Sequence, residues 1–334
     1  MFGKDSKNCN LFLHMWNKQT FTQFITSFRQ LDWARVLAGV SYLLFAIFYP
    51  GHNYFQTLVI NPGTVRNYSP SLRPFHPYPE SDGTKVPPTS ARAIVVQDVA
   101  SKSIIFSKSA DAPLLPASTT KIMTALVALD TWHDLSTVIT VKNEDHAIGS
   151  TMNLKKGEQI TVHNLLYGLL VPSGNDAALA LADSFPGGYE AFVDAMNAKA
   201  HDLHLDHTTY KNPSGVEQYG HITTARDLAV LAATAIENPV LASIVQTESI
   251  VVTDTSGSIT HDLKSTDELL GQIEGFKGLK TGWTTNAGEC LVSYVERGDH
   301  KVIIVVLGSL DRFGDTRALI DWTYNHHHWI VPQI

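Results

Sequence analysis

Apolar residues recur along the chain with two different periods. At Ile122, Met123, Leu126 and Leu129 they return every three or four positions, which predicts a helix over 118–131. Similar spacing predicts helices over 162–170, 175–184, 189–203, 224–237 and 318–325. Alternating, β-branched runs mark 93–99 (AIVVQDV) and 103–108 (SIIFSK) as a hairpin turning at Ala100, Ser101 and Lys102. A matching pair, 290–296 (CLVSYVE) and 301–309 (KVIIVVLGS), turns around Arg297, Gly298, Asp299 and His300 near the end of the chain. Strands at both ends with helices between them predict an α/β (α+β) body, one antiparallel sheet assembled from distant parts of the chain and covered by helices. The polar stretch 253–271 reads as an insertion before the next strand.

The pattern before residue 91 is different. Residues 1–35 are polar and carry Lys4, Lys7, Lys18, Arg29 and Arg35, and 36–49 (VLAGVSYLLFAIFY) then runs without a charge. Its length falls short of the roughly 20 residues of a full transmembrane helix, so a signal anchor, a signal-peptide apolar region and a buried core helix all compete. The long polar lead and the bulky Phe48-Tyr49-Pro50 ending favour an uncleaved single-pass anchor. Basic residues ahead of the span keep 1–35 in the cytoplasm and send the rest outward, to the cell membrane's extracytoplasmic face, or into secretion if the span is cleaved. Residues 50–90 hold Pro62, Pro70, Pro74, Pro77, Pro79, Pro87 and Pro88 and read as an extended linker. The folded body is then 91–334.

Composition narrows the classes. With 334 residues and 44% hydrophobic content, the chain can bury a substantial core. A net charge of −7 gives no basic footprint, so nucleic acid is excluded as a partner. Cys9 and Cys290 fall on opposite sides of the expected membrane and do not pair, and Cys290, in an apolar run, reads as a buried thiol. His201, His204 and His207, and the run His326 to His328, lack the spacing of a metal site, so neither metal nor cofactor is expected.

The chemistry gathers on three short segments. Ser118 lies three residues before Lys121 at a helix start, so the two share a face and the ammonium reaches the hydroxyl. A serine needs a base to become a nucleophile, and a lysine serves only when desolvation or a second cation makes its proton easy to lose. Ser173-Gly174-Asn175 follows in LLVPSGNDAALALAD, where either polar residue could also cap a helix. Lys280-Thr281-Gly282 follows in GFKGLKTGWTTNAGECL, on an expected strand.

These three elements, in this order, resemble the low-molecular-mass penicillin-binding proteins, specifically the serine-type D-alanyl-D-alanine carboxypeptidases. The likeness runs from about Ala91 to the end, through MNLKKGEQITVHNLLYGLL, NPSGVEQYGHITTARDLAVLA and LKTGWTTNAGECLVSYV. It implies a β-lactamase/transpeptidase-like fold with an acyl-enzyme formed on Ser118, Lys121 as base, and Ser173 and Asn175 assisting. It also implies substrate binding by Lys280, Thr281 and Gly282, an oxyanion hole from the backbone N–H groups of Ser118 and Trp283, and a carboxylate-binding role for Arg312. For Arg312 a surface salt bridge to Asp311 or Asp315 is the other reading. The implied partners are the peptidoglycan stem peptide and, as inhibitors, β-lactam antibiotics.

Two departures stand out, Trp283 after the Lys-Thr-Gly triplet and LKSTDELL where relatives carry a paired-asparagine element. A serine β-lactamase is the competing enzyme, but no E-x-x-L-N element lies between Asn175 and Lys280. A non-catalytic wall-binding scaffold would not need the complete set.

Overall fold

The computed structural model describes residues 32–48, 76–142 and 148–332. The chain divides into two units, Met1–Arg73 and Pro74–Ile334. In the first, the apolar run forms helix α1, Trp33–Phe48, whose 16 residues include none that is buried. Among the described residues no helix is long and apolar enough to cross a membrane. At 1.5 Å per residue α1 is about 24 Å long, short of the roughly 30 Å hydrocarbon core, so the membrane anchor is not part of what the fold establishes. Cys9 and the first part of the expected linker, 50–75, lie outside the described residues.

The second unit is built on a five-stranded sheet. Its strands are β2 (Ala93–Asp98), β3 (Ile104–Lys108), β8 (Phe276–Thr284), β9 (Gly288–Arg297) and β10 (His300–Ser309), in the order β3-β2-β10-β9-β8. Every pairing is antiparallel, and β10 joins the late strands of the second unit to its early ones through Val302↔Asp98 to Leu307↔Ala93. Successive side chains of a strand face opposite ways, so these runs fill two cores at once. Ala93, Val95, Ile303 and Val305 face one, and Ile94, Val96, Val302 and Ile304 the other.

The larger core is roofed by α2 (Lys121–Thr131), α3 (Val162–Leu170), α4 (Asn175–Ser184), α5 (Gly188–Asp202) and α6 (Ala225–Glu237). Thr224 caps α6 by accepting from Asp227 N at 3.1 Å, as its sequence signals. The smaller core is closed by α8 (Arg312–Asn325) through Leu319 and Ile320, with α7 (Pro239–Ile244) on the larger side. The sheet of remote strands covered by helices is therefore as expected.

Three local expectations are corrected. The later part of the stretch read as a linker belongs to the folded body: β1 (Tyr78–Ser81) pairs with β11 (His327–Ile330), and Ser90 donates its N–H and hydroxyl to Asp315. Prolines hid this because the pairing partner lies some 250 residues away in sequence. The polar insertion 253–271 contains half of a hairpin, β6 (Ser249–Thr253) with β7 (Thr260–Lys264), turned by Asp254, whose carboxylate accepts from Ser256 and Ile259. Helix α8 starts at Arg312, six residues before the apolar period begins, because Asp311 caps it by accepting from Gly314 N at 2.8 Å. A small pair, β4 (Val138–Thr140) with β5 (Gln159–Thr161), completes the fold.

Candidate active site

Ser118 sits in a 3-10 turn, Ala117–Thr120, that runs directly into α2. The turn is entered through Ala117 at φ +47°, a left-handed conformation that costs a residue with a side chain about 1 kcal/mol or more. One turn on, Lys121 is wholly buried, and its Nζ lies 2.9 Å from Ser118 Oγ and 2.7 Å from the Ser214 carbonyl. Burial pushes the Lys121 ammonium well below the usual lysine range, the charge of Lys280 adds to that push, and Asp176 opposes it.

The second segment forms the corner between α3 and α4. Ser173 is buried at φ +65°, and Gly174 follows because a Cβ there would stand 2.7 Å from the Gly168 carbonyl and 2.8 Å from Asp176 Oδ1. Asp176 in turn accepts from the N–H groups of Met152, Leu154 and Ala177 at 2.9–3.0 Å, tying residues 152–154 to the corner. Asn175 opens α4, with its backbone N–H donating to the Ser150 carbonyl at 2.7 Å and its amide nitrogen to the Ile148 carbonyl. Its Oδ1 is buried without a partner. The amine of Lys121 is held by Ser118 and the Ser214 carbonyl, and the Asn175 amide is not among its hydrogen-bond partners.

The third segment is the end of β8. Lys280 is 2% exposed, and its Nζ donates to the Thr281 carbonyl at 3.1 Å. Burial brings the Lys280 ammonium down to about 7, with Asp267 resisting and Arg312 assisting. The Thr281 hydroxyl meets that of Thr266 at 2.6 Å. A Cβ on Gly282 would lie 3.1 Å from both Ala117 Cβ and Ser118 N, so glycine lets the strand rest against the turn that carries Ser118. Trp283, the next residue, is 62% exposed. Arg312 reaches back from α8: its Nη1 donates to the Gly282 carbonyl at 3.2 Å, and Glu289 holds its backbone N–H at 2.8 Å. Neither Asp311 nor Asp315 is its partner, since Asp311 caps α8 and Asp315 binds Ser90, Ala91 and Ser309.

A hydroxyl-and-amine pair, a polar corner and a cationic strand edge thus converge from three remote parts of the chain. The sequence model described as D-alanyl-D-alanine carboxypeptidase matches residues 81–310, which span all of them.

The chain belongs to this family.

Among similar proteins, the D-alanyl-D-alanine carboxypeptidase DacF of Bacillus subtilis is 30% identical over 245 residues, covering 71% of this chain and 63% of that protein. A D-alanyl-D-alanine endopeptidase of Pseudomonas aeruginosa is 33% identical over 262 residues, covering 74% of this chain and 84% of its own length. The crystal structure of the Streptomyces K15 DD-transpeptidase superposes with a TM-score of 0.69 at 30% identity, covering 72% of this chain and all of that one. The chain spans less than two thirds of the length of the first of these relatives.

Several residues of this carboxypeptidase-family site escaped the reading of the sequence. The loop carrying Asn212, Ser214 and Gly215 supplies the Lys121 acceptor, and Asn212 Oδ1 shapes it by accepting from Ser214 N and Gly215 N at 3.2 and 2.8 Å. The N-P-S-G run signals a turn, but nothing local shows that it faces Lys121. Thr266, Asp267 and Glu289 were missed for the same reason. Cys290 is buried as expected, its thiol pushed up to about 11 by burial. Among the described residues no group of three or more His, Cys, Asp or Glu side chains is placed to hold a metal ion.

Proposed function

We propose that this protein is a serine D-alanyl-D-alanine carboxypeptidase that removes the terminal D-alanine of peptidoglycan stem peptides. The observation that carries the reading is the 2.9 Å contact between Ser118 Oγ and a lysine amine that is wholly buried beside a second cation. A lysine so placed gives up its proton easily and can take that of the serine.

The substrate's free carboxylate is received by the Lys280 ammonium, the Thr281 hydroxyl and Arg312, which suits a peptide cut at its C-terminus. Neutral Lys121 takes the Ser118 proton as Oγ attacks the carbonyl of the penultimate D-alanine. The oxyanion is held by the N–H groups of Ser118 and Trp283, brought close because Gly282 packs on the Ser118 turn. The Ser173 hydroxyl relays that proton from Lys121 to the departing amine, giving up its own and taking the lysine's, so D-alanine leaves and Lys121 is neutral again. Asn175, whose Oδ1 has no partner within the protein, holds the substrate's amide. Water then attacks the ester, gives one proton back through Lys121 to Ser118, and frees the shortened peptide. β-Lactams acylate the same serine.

The test is to incubate the full-length protein with labelled penicillin and, separately, with a D-Ala-D-Ala peptide. A lasting adduct on Ser118 together with D-alanine release is expected, and both should vanish in Ser118→Ala. Rapid loss of the adduct would indicate a β-lactamase, and no adduct at all a scaffold.

We further propose that residues 36–49 tether the protein to the cell membrane with its catalytic unit on the extracytoplasmic side. Support comes from the charge-free run, the exposure of Leu37, Val40 and Leu43 on α1, and the basic residues ahead of it. Recovery of the full chain in the soluble fraction without detergent would overturn the tether.

A further inference from the structure

His221 takes no part in the chemistry above, yet it is 1% exposed and tied to the turn that carries Ser118. Three hydrogen bonds run in line. The backbone N–H of Lys211 donates to His221 Nδ1 at 3.1 Å, His221 Nε2 lies 2.9 Å from Thr120 Oγ1, and Thr120 Oγ1 donates to the Ala117 carbonyl at 2.8 Å. The direction of the middle bond follows from its neighbours. A hydroxyl has one proton, and Thr120 gives its proton to Ala117, so Thr120 accepts from the ring. Nδ1 in turn accepts from an amide, so Nε2 carries the hydrogen. The ring is therefore a neutral imidazole of one tautomer. Its burial, followed by the charge of Lys211, holds its pKa down at about 4, in keeping with that state.

The far end of this chain of bonds is a tightly constrained peptide of the site. Ala117 is held at φ +47° although it has a side chain. On one side a Cβ added to Gly215 would come 1.9 Å from the Ala117 carbonyl oxygen, and on the other a Cβ added to Gly282 would meet Ser118 N at 3.1 Å. Backbone thus presses on the turn from two directions, and the Thr120 hydroxyl fixes the carbonyl between them. The near end is equally well seated, because Thr209↔Ile222 and Leu114↔Thr223 bridges align the segment around His221 with both of its neighbours. Tyr210 packs edge-on against the ring at 5.8 Å.

We propose that His221 is a positioning residue for acyl transfer, holding the Ala117 carbonyl through Thr120 so that the left-handed turn aims the Ser118 hydroxyl and N–H at the substrate carbonyl. The inference rests on Ser118 being the nucleophile. It assigns to a buried histidine a role that involves no proton transfer.

The experiment compares His221→Gln, His221→Leu and Thr120→Val in the full-length protein. Glutamine can accept from Lys211 N–H and donate to Thr120, whereas leucine can do neither. The readouts are the first-order rate of acylation by a saturating penicillin, the dissociation constant of the complex that precedes it, and Tm. His221→Leu and Thr120→Val should slow acylation about 10- to 100-fold with the dissociation constant changed less than about 3-fold, and His221→Gln should recover most of the rate. Histidine nitrogen shifts of the parent protein should show a neutral Nε2–H ring from pH 5 to 8.

Equal acylation rates in the parent, His221→Leu and Thr120→Val would overturn the proposal. So would a glutamine variant as slow as leucine at the same Tm, or a ring that titrates between pH 6 and 7. If His221→Leu fails to fold, Thr120→Val and His221→Gln still decide. An adduct that survives in Ser118→Ala would instead sink the underlying assignment of the nucleophile, leaving the two failures distinguishable.

Discussion

Lys280 and Lys121 are both buried to within 2% of full coverage, and burial, helped by the charge of the first, loosens the proton of the second. The burial that eases the proton from Lys121 also makes Lys280 easy to discharge, since its ammonium is brought down to about 7. In the proposed mechanism one lysine works without its proton and the other with it, so activity toward a peptide acid should need a pH window between the two.

The pH dependence should follow. As pH falls, Lys121 gains a proton, stops accepting from Ser118, and acylation drops for every substrate. As pH rises through about 7, Lys280 in the empty site loses its charge, and KM for a peptide with a free carboxylate climbs. The corresponding peptide amide should lack that alkaline limb. Steady-state profiles of the acid and the amide from pH 5 to 9 check this, and matching alkaline limbs would count against the role of Lys280.

Lys280→Ala should reduce kcat/KM for the peptide acid about 10-fold more than for its amide, because only the acid uses the charge-assisted contact. It should also move the acid limb to higher pH, since Lys121 is then relieved of a neighbouring cation. Equal losses on both substrates would show that Lys280 does something other than bind the carboxylate.

Gly282→Ala places a Cβ 3.1 Å from Ser118 N and Ala117 Cβ, so either the strand or the turn must give way. A shift of a few tenths of an ångström at the oxyanion position should slow acylation about 10-fold or more, with little change in Tm. Stopped-flow acylation by a chromogenic β-lactam reads the effect.

Gly215→Ala combines a φ of +85° with a Cβ 1.9 Å from a backbone oxygen. It should destabilise the fold by about 2 to 4 kcal/mol, seen as a fall in Tm of several degrees, and slow acylation as well. An unchanged Tm would mean that the 212–218 loop is free to move away from Ser118.

Asp267 is 8% exposed, its Oδ2 has no partner, and burial raises its carboxyl to about 6. Its folded pKa lies above the unfolded value, so stability is complete below about 4 and is lost as pH rises to about 6. Asp267→Asn should therefore raise stability above pH 6 by up to about 3 kcal/mol and make no difference near pH 4. The same change removes the negative charge that helps Lys280 stay protonated, so KM for the peptide acid should rise at neutral pH. Tm measured at pH 4 and pH 8 separates the two effects from a general loss of packing.

The chain by itself determined a good deal. Helical spacing from Ile122 onward, the alternation in the strands around Val95 and Ile304, and the three polar segments at Ser118, Ser173 and Lys280 all act over a few residues. The period of a helix or strand converts such short-range order directly into shared faces. The fold class and the core of the site were legible for that reason. Only tertiary structure decided the rest. That the Ser214 carbonyl holds Lys121, that Glu289 and the Gly282 carbonyl hold Arg312, and that Tyr78 pairs with Ile330 depend on segments from 23 to about 250 residues apart. The lowered proton affinity of Lys121 is of the same kind, because desolvation is a property of everything packed around a group, and a sequence lists only what precedes and follows it.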